Sequence, residues 1–160
     1  MAYDILITGG TIIDGSGQPR FEADIGIQGG MIKDIGRLGD ASAQKTIGAT
    51  GRFVTPGFID ITNHSDSNGS LFQDPLQEAS LTQGVTTILV GNCGVSLAPL
   101  ASAEAIKSLG KWQDISQINI KWVNFGEFLD ELSRHELGVN VASLVGHNTL
   151  RRGVIGSEIR

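Results

Sequence analysis

Short apolar runs separated by glycine pairs open the chain, and the pattern changes near residue 54. Asp4-Ile-Leu-Ile-Thr8 and Thr11-Ile-Ile-Asp14 flank Gly9-Gly10, while Ala23-Asp-Ile-Gly-Ile-Gln28 and Met31-Ile-Lys-Asp-Ile35 flank Gly29-Gly30. Both spacings predict two-residue hairpin turns, in which glycine supplies the positive φ that other residues resist. Ile25 and Ile27 alternate with polar neighbours, as in a strand with one buried face. A third extended run is predicted over residues 45–54, so that residues 1–53 read as a small β unit.

From residue 54 to 160 the order becomes strand, loop, helix. The segment Val54-Thr-Pro-Gly-Phe-Ile-Asp-Ile-Thr-Asn-His-Ser-Asp66 predicts a buried strand over 58–61, entered through Pro56-Gly57 and followed by a polar cluster with His64 and Asp66. Thr86-Thr-Ile-Leu-Val90 predicts a second strand, which runs into Gly91-Asn-Cys-Gly94. Before it, Leu76, Ala79, Ser80 and Gln83 suggest a short helix stopped by Gly84. Phe125, Phe128, Leu129 and Leu132 recur at helical spacing and predict an amphipathic helix over 125–137, closed by Gly138. Val139-Asn-Val-Ala-Ser-Leu-Val145 is the third strand, ending at Gly146-His147. Strands joined through helices predict right-handed crossovers and a parallel sheet, hence an α/β fold. Parallel sheets are covered on both faces and rarely stand as three strands, so the sequence is expected to be the front portion of a longer protein.

The totals narrow the function. A chain of 160 residues with 40% hydrophobic and 18% charged residues has the composition of a soluble globular protein. A formal charge of -5 and the lack of a Lys/Arg cluster argue against nucleic acid, whose phosphates need grouped cations. No apolar run approaches the roughly 18 residues that span a bilayer. One cysteine forms no internal disulfide and the N-terminus lacks a signal-peptide pattern, which makes a cytoplasmic location the expectation. The 22 glycines fall mostly between apolar runs, as turn punctuation. Gly9-Gly10 lacks the strand-GxGxxG-helix context of a phosphate loop.

Chemistry in parallel α/β folds sits at the carboxyl ends of strands, and two predicted strands here end beside a histidine and the only cysteine. A zinc-like ion takes imidazole, thiolate or carboxylate donors, which makes His64 and Cys93 candidate ligands, with Asp66 as a third. Two other readings stay open: Cys93 as a nucleophile with His64 or His147 as its base, and Cys93 as a small buried hydrophobe. His147, followed by Arg151 and Arg152, could hold an anionic substrate group, or the arginines could be solvated helix residues. Asp60 reads either as a catalytic carboxylate or as a strand-end group bonded to backbone amides. His135 reads as an exposed helix residue.

These strand-end segments together resemble the amidohydrolase superfamily, most closely its N-acyl-D-amino-acid deacylase (D-aminoacylase) branch. Val54-Thr-Pro-Gly-Phe-Ile-Asp60 looks like the family's first barrel strand. Gly84-Val-Thr-Thr-Ile-Leu-Val-Gly-Asn-Cys-Gly94, continuing to Leu97-Ala-Pro-Leu100, is similar to the segment that carries the branch's metal-binding cysteine, and Leu144-Val-Gly-His-Asn-Thr-Leu-Arg151 matches a third characteristic segment. The resemblance implies a small β-sandwich joined to a (β/α)8 TIM barrel, of which this chain would hold the first three βα units. It also implies a metal, commonly zinc, that activates water for attack on an amide carbonyl.

On that resemblance Cys93 and His64 are metal ligands, while His147 and Arg151 are candidate substrate contacts. The other ligands and the catalytic aspartate of the family would lie beyond Arg160. The superfamily's first strand ends in His-x-His, whereas this chain has Thr62-Asn63-His64, so one ion is expected rather than two. The implied activity is hydrolysis of linear amides such as N-acyl-D-amino acids. A cyclic-amide hydrolase of the dihydroorotase or hydantoinase kind and a noncatalytic binding relative are the alternatives. The 160-residue piece alone is expected to be inactive, since a catalytic zinc needs about three protein ligands, and its open parallel edge is expected to favour aggregation.

Overall fold

The computed structural model describes residues 2–102, 106, 107, 109, 110 and 118–156. The chain divides into two compact units, Met1–Pro56 and Gly57–Arg160.

The first unit is a mixed sheet in which β1 (Tyr3–Ile12) is central. It pairs antiparallel with β2 (Phe21–Gln28), which pairs antiparallel with β3 (Met31–Gly36). On its other side β1 pairs in parallel with β4 (Ala43–Gly48) and then with β5 (Phe53–Val54). The turn predicted at Gly29-Gly30 is present, with both glycines at positive φ and Gln28 opposite Met31.

The turn predicted at Gly9-Gly10 is absent, because β1 runs straight through it as a bulge. Register on β2 shifts between Ile7 and Gly10, and Gly9 takes φ 65° while its N–H donates to Asp24 Oδ1 at 2.7 Å. A bulge and a hairpin turn ask for the same positive-φ glycine, so the local sequence did not separate them. The run predicted over 45–54 is likewise broken. Ala49 N–H donates to the Thr8 carbonyl and Thr11 N–H to the Arg52 carbonyl, with a turn between them that places Gly51 at φ 73°. Leu6, Ile12, Ile25 and Ala49 are buried, whereas Met31, Ile32, Ile35 and Phe53 are exposed.

The second unit carries a three-stranded parallel sheet in the order β6 (Phe58–Asp60), β7 (Val85–Val90), β8 (Asn140–Ser143). The central strand holds the core, with Ile88 and Val90 fully buried. Around them pack Leu71 of α1 (Ser70–Gln73), Leu97, Trp122, and Phe128 and Leu132 of α3 (Phe125–Arg134). The helix α2 (Glu78–Leu81) is a single turn, shorter at both ends than the Leu76 to Gln83 span that suggests it, and its C-cap is Thr82; Gly84, at φ 83°, follows in the turn that leads into β7. The final helix, α4 (His147–Ile155), starts directly after the third strand's loop.

The α3 start is written in the sequence. Asn124 accepts the Glu127 N–H at 2.9 Å while Glu127 Oε2 accepts the Asn124 and Val123 N–H groups, a reciprocal cap worth about 1 kcal/mol. Its end is earlier than predicted: Arg134 is the last helical residue and His135 is already extended. Gly138 is no helix cap. Its N–H donates to the Pro75 carbonyl, and a Cβ there would overlap the backbone of Leu76, so the chain leaves the helix to pass close by that loop. The strand predicted as buried over 58–61 is also different, since Phe58, Ile59 and Ile61 are exposed. Among the described residues only β7 pairs with this edge strand, so local hydrophobicity reported the strand but not its cover.

Candidate functional site

The loops that follow β6 and β7 meet. Asn63 N–H donates to the Leu89 carbonyl, and the Asn92 amide donates to the Leu89 carbonyl at 2.7 Å and to the Asn63 carbonyl at 3.1 Å. This stitching brings His64 and Cys93 together: Cys93 Sγ lies 3.7 Å from His64 Nε2, and both side chains are exposed. The other ring nitrogen, His64 Nδ1, faces Ser67 Oγ at 3.4 Å.

Cys93 sits at φ 56°, a left-handed conformation that costs an L-residue roughly 1–2 kcal/mol. Flanking it, Gly91 and Gly94 are at φ 81° and 77°, and a Cβ on Gly91 would overlap the Leu144 backbone. The loop therefore needs glycine on both sides of the cysteine and holds the cysteine itself under strain, which is a mark of functional positions. The reading of Cys93 as a buried small hydrophobe does not hold, because it is exposed.

The far side of the loop is clamped by the third strand-end segment. Asn148 N–H donates to the Gly94 carbonyl at 2.8 Å, and Gly146 N–H donates to Ser96 Oγ at 2.9 Å. Thr149 Oγ1 accepts the Ser96 N–H at 2.9 Å. Ser96 and Thr149 are both buried. The Gly-His-Asn-Thr motif thus serves the cysteine loop through its backbone and its threonine. His147 and Arg151 themselves are exposed residues of α4, as is His135 just past α3, where it stands edge-on to Phe72 and 3.6 Å from Glu131.

Neither carboxylate near the pair joins it as a third donor. Asp60 Oδ2 accepts the Asn63 amide at 2.9 Å and Oδ1 accepts the Thr62 N–H at 3.1 Å, bonds that hold its carboxyl below the usual carboxylate range. It is a strand-end group satisfied by the following turn. Asp66 is only 1% exposed, and Oδ2 accepts the Gly91 N–H at 2.9 Å. Burial pushes its pKa up, against the pull of the Ser67 and Gly91 amides. The sequence offers Asp66 only as a candidate ligand and does not single out Ser96 or Thr149, since one polar residue in a loop or a helix's first turn carries no periodic signal.

A thiol and an imidazole side by side suit zinc, which favours sulfur and nitrogen donors, so this pair fits part of a zinc site. Among the described residues no group of three His, Cys, Asp or Glu side chains is placed to hold an ion. Among the described residues, His64 and Cys93 are the two candidate donors that stand together.

No protein-family profile matches the chain. It is 40% identical to a D-aminoacylase of Alcaligenes xylosoxydans xylosoxydans over 96% of its own length and 31% of that protein's. Its fold matches an N-acyl-D-glutamate deacylase of Bordetella bronchiseptica, solved with zinc and a phosphonate inhibitor, at TM-score 0.81 and 38% identity, over 97% of this chain and 32% of the other. A D-aminoacylase structure described for one-metal activation and second-metal attenuation matches at TM-score 0.80 and 36% identity, over 99% of this chain and 32% of the other. The chain therefore spans about a third of the length of the proteins it matches. Sequence and fold agree across almost all of this chain, and it belongs to the amidohydrolases, in the branch that holds D-aminoacylase.

Proposed function

We propose that the full-length protein is a metal-dependent hydrolase of linear amides that removes the acyl group from N-acyl-amino acids, with D-amino acids as the natural class. The observation that carries this reading is the approach of Cys93 Sγ to His64 Nε2 at the ends of adjacent parallel strands. In the whole protein the fold would be a small β-sandwich joined to a (β/α)8 barrel, with β6, β7 and β8 as the first three barrel strands. Cys93 and His64 would hold one zinc, completed by ligands outside this chain. When bound, zinc lowers the pKa of water and polarises a carbonyl oxygen.

The chain's own residues shape that site. The glycines around Cys93 and the Asn92 amide fix where the thiol stands, and Thr62, in the place of a second histidine, offers only a hydroxyl as side-chain donor. That supports one ion rather than two. His147 and Arg151, on α4, would bind the carboxylate of the substrate, a charge-assisted contact worth more than a neutral one. The one free cysteine suits a reducing compartment, so the cytoplasm is the proposed location.

The test is direct. Purified full-length protein is expected to carry about one zinc per chain and to release acetate from N-acetyl-D-amino acids, with both properties lost in Cys93→Ala. A well-folded, metal-free protein would sink the reading, and activity on dihydroorotate or hydantoins alone would move it to cyclic amides. The isolated 160-residue chain is expected to show neither property, because it supplies two ligands where about three are needed.

A further inference from the structure

The loop from Gly91 to Gly94 places three residues, Gly91, Cys93 and Gly94, at positive φ. A segment of that shape makes no ladder hydrogen bonds of its own and is held by what surrounds it. On one side the clamps are the Asn148 N–H and the Ser96–Thr149 pair. On the other, the side chain at the loop's first residue is Asp66, which accepts the Gly91 N–H at 2.9 Å from a site that is almost wholly buried. Its second oxygen, Oδ1, has no hydrogen-bond partner among the described residues.

Burying a carboxyl group with one oxygen unsatisfied is costly, and leucine or alanine would fill the space without that cost. What neither can do is accept the Gly91 N–H. We propose that Asp66 is a positioning residue for the metal-binding thiol: by accepting the Gly91 N–H it ties the loop that carries His64 to the loop that carries Cys93. Its bond runs to the Gly91 backbone rather than to either donor atom, so it acts through the backbone. The bond requires an acceptor of the right shape rather than a charge, so asparagine would replace Asp66 and alanine would not. This inference rests on the metal reading above, and its test separates the two.

Cobalt(II) in place of zinc reports the thiolate through its near-ultraviolet absorption in the full-length protein. Wild type and Asp66→Asn are expected to bind cobalt within about threefold of each other, whereas Asp66→Ala binds roughly 10- to 100-fold more weakly with a reduced thiolate band. In metal-free protein, Asp66→Ala is expected to change the rate at which iodoacetamide alkylates Cys93, while Asp66→Asn leaves it unchanged. Leu132→Ala, a core truncation on α3, serves as the control for plain loss of stability and is expected to leave both readouts at the wild-type level. Equal cobalt affinity and labelling in folded Asp66→Ala would overturn the proposal, as would equal changes in Leu132→Ala. If Asp66→Ala does not fold, Asp66→Asn decides: retained cobalt affinity and a protected Gly91 amide support an acceptor role, and their loss in a folded protein overturns it. A thiolate band that survives Cys93→Ala would refute the metal reading instead, and the metal-free labelling comparison would then judge Asp66 by itself.

Discussion

Thr149 and Ser96, 53 positions apart, are joined twice: Thr149 Oγ1 accepts the Ser96 N–H at 2.9 Å and donates to the Ser96 carbonyl at 3.2 Å. One buried hydroxyl thereby satisfies both backbone groups of a loop residue that no strand partner reaches. Thr149→Val keeps the volume and removes the hydroxyl, leaving an N–H and a carbonyl buried without partners. The expected loss is about 1–3 kcal/mol, read as a lower urea midpoint with an unchanged slope. An unaltered midpoint would show that water enters and replaces the hydroxyl.

In the first unit Asp24 plays the equivalent part. Its Oδ1 accepts the Gly9 N–H at 2.7 Å and its Oδ2 accepts the Leu38 N–H at 2.8 Å, and these bonds lower its pKa. A carboxyl group whose folded pKa lies below its unfolded value adds stability above the unfolded pKa and loses it as pH falls through the folded value. Asp24→Asn, which has one acceptor oxygen for two donors, is therefore expected to destabilise the chain at neutral pH and less so in acid. Urea midpoints of the two proteins at pH 7 and about pH 3 would converge; a gap that stays constant with pH would rule out the carboxylate as the cause.

Glycine matters at Gly9 and not at Gly48. Gly9 needs φ 65°, and a Cβ there would stand 2.9 Å from Thr50 Oγ1, whereas a Cβ at Gly48 meets nothing within 4 Å. Gly9→Ala is expected to cost about 1–2 kcal/mol, and Gly48→Ala to stay within about 0.5 kcal/mol of wild type. Thermal unfolding of the pair checks both, and equal shifts would show that the bulge tolerates a side chain.

The strand-end histidine and cysteine, the hairpin at Gly29-Gly30 and, except for the exposed Leu129, the core face of α3 are legible in the sequence. Each rests on a local rule: a period, a pair of glycines, or the place where an apolar run turns polar. Parallel strands deliver their carboxyl ends to one edge, so the sequence alone pairs His64 with Cys93. Gly9-Gly10 and Gly138 look like turn and cap signals but serve a bulge and a close approach, while the 45–54 run looks like one strand but turns at Gly51. Whether a glycine serves a turn, a bulge or a close approach depends on which neighbour arrives there.

The sequence by itself determined that strands alternate with helices after residue 54, that a histidine and a cysteine follow the first two of those strands, and which family they resemble. Only the tertiary structure decided that Cys93 is exposed and left-handed beside His64, that Asp60 is satisfied by its own turn, and that Asp66 and Thr149 grip the cysteine loop from opposite sides. The physical reason is range. Periodicity and turn chemistry act over a few residues, whereas the bonds that shape this loop reach across 25 positions from Asp66 and 53 from Thr149, and no local pattern reports a partner that distant.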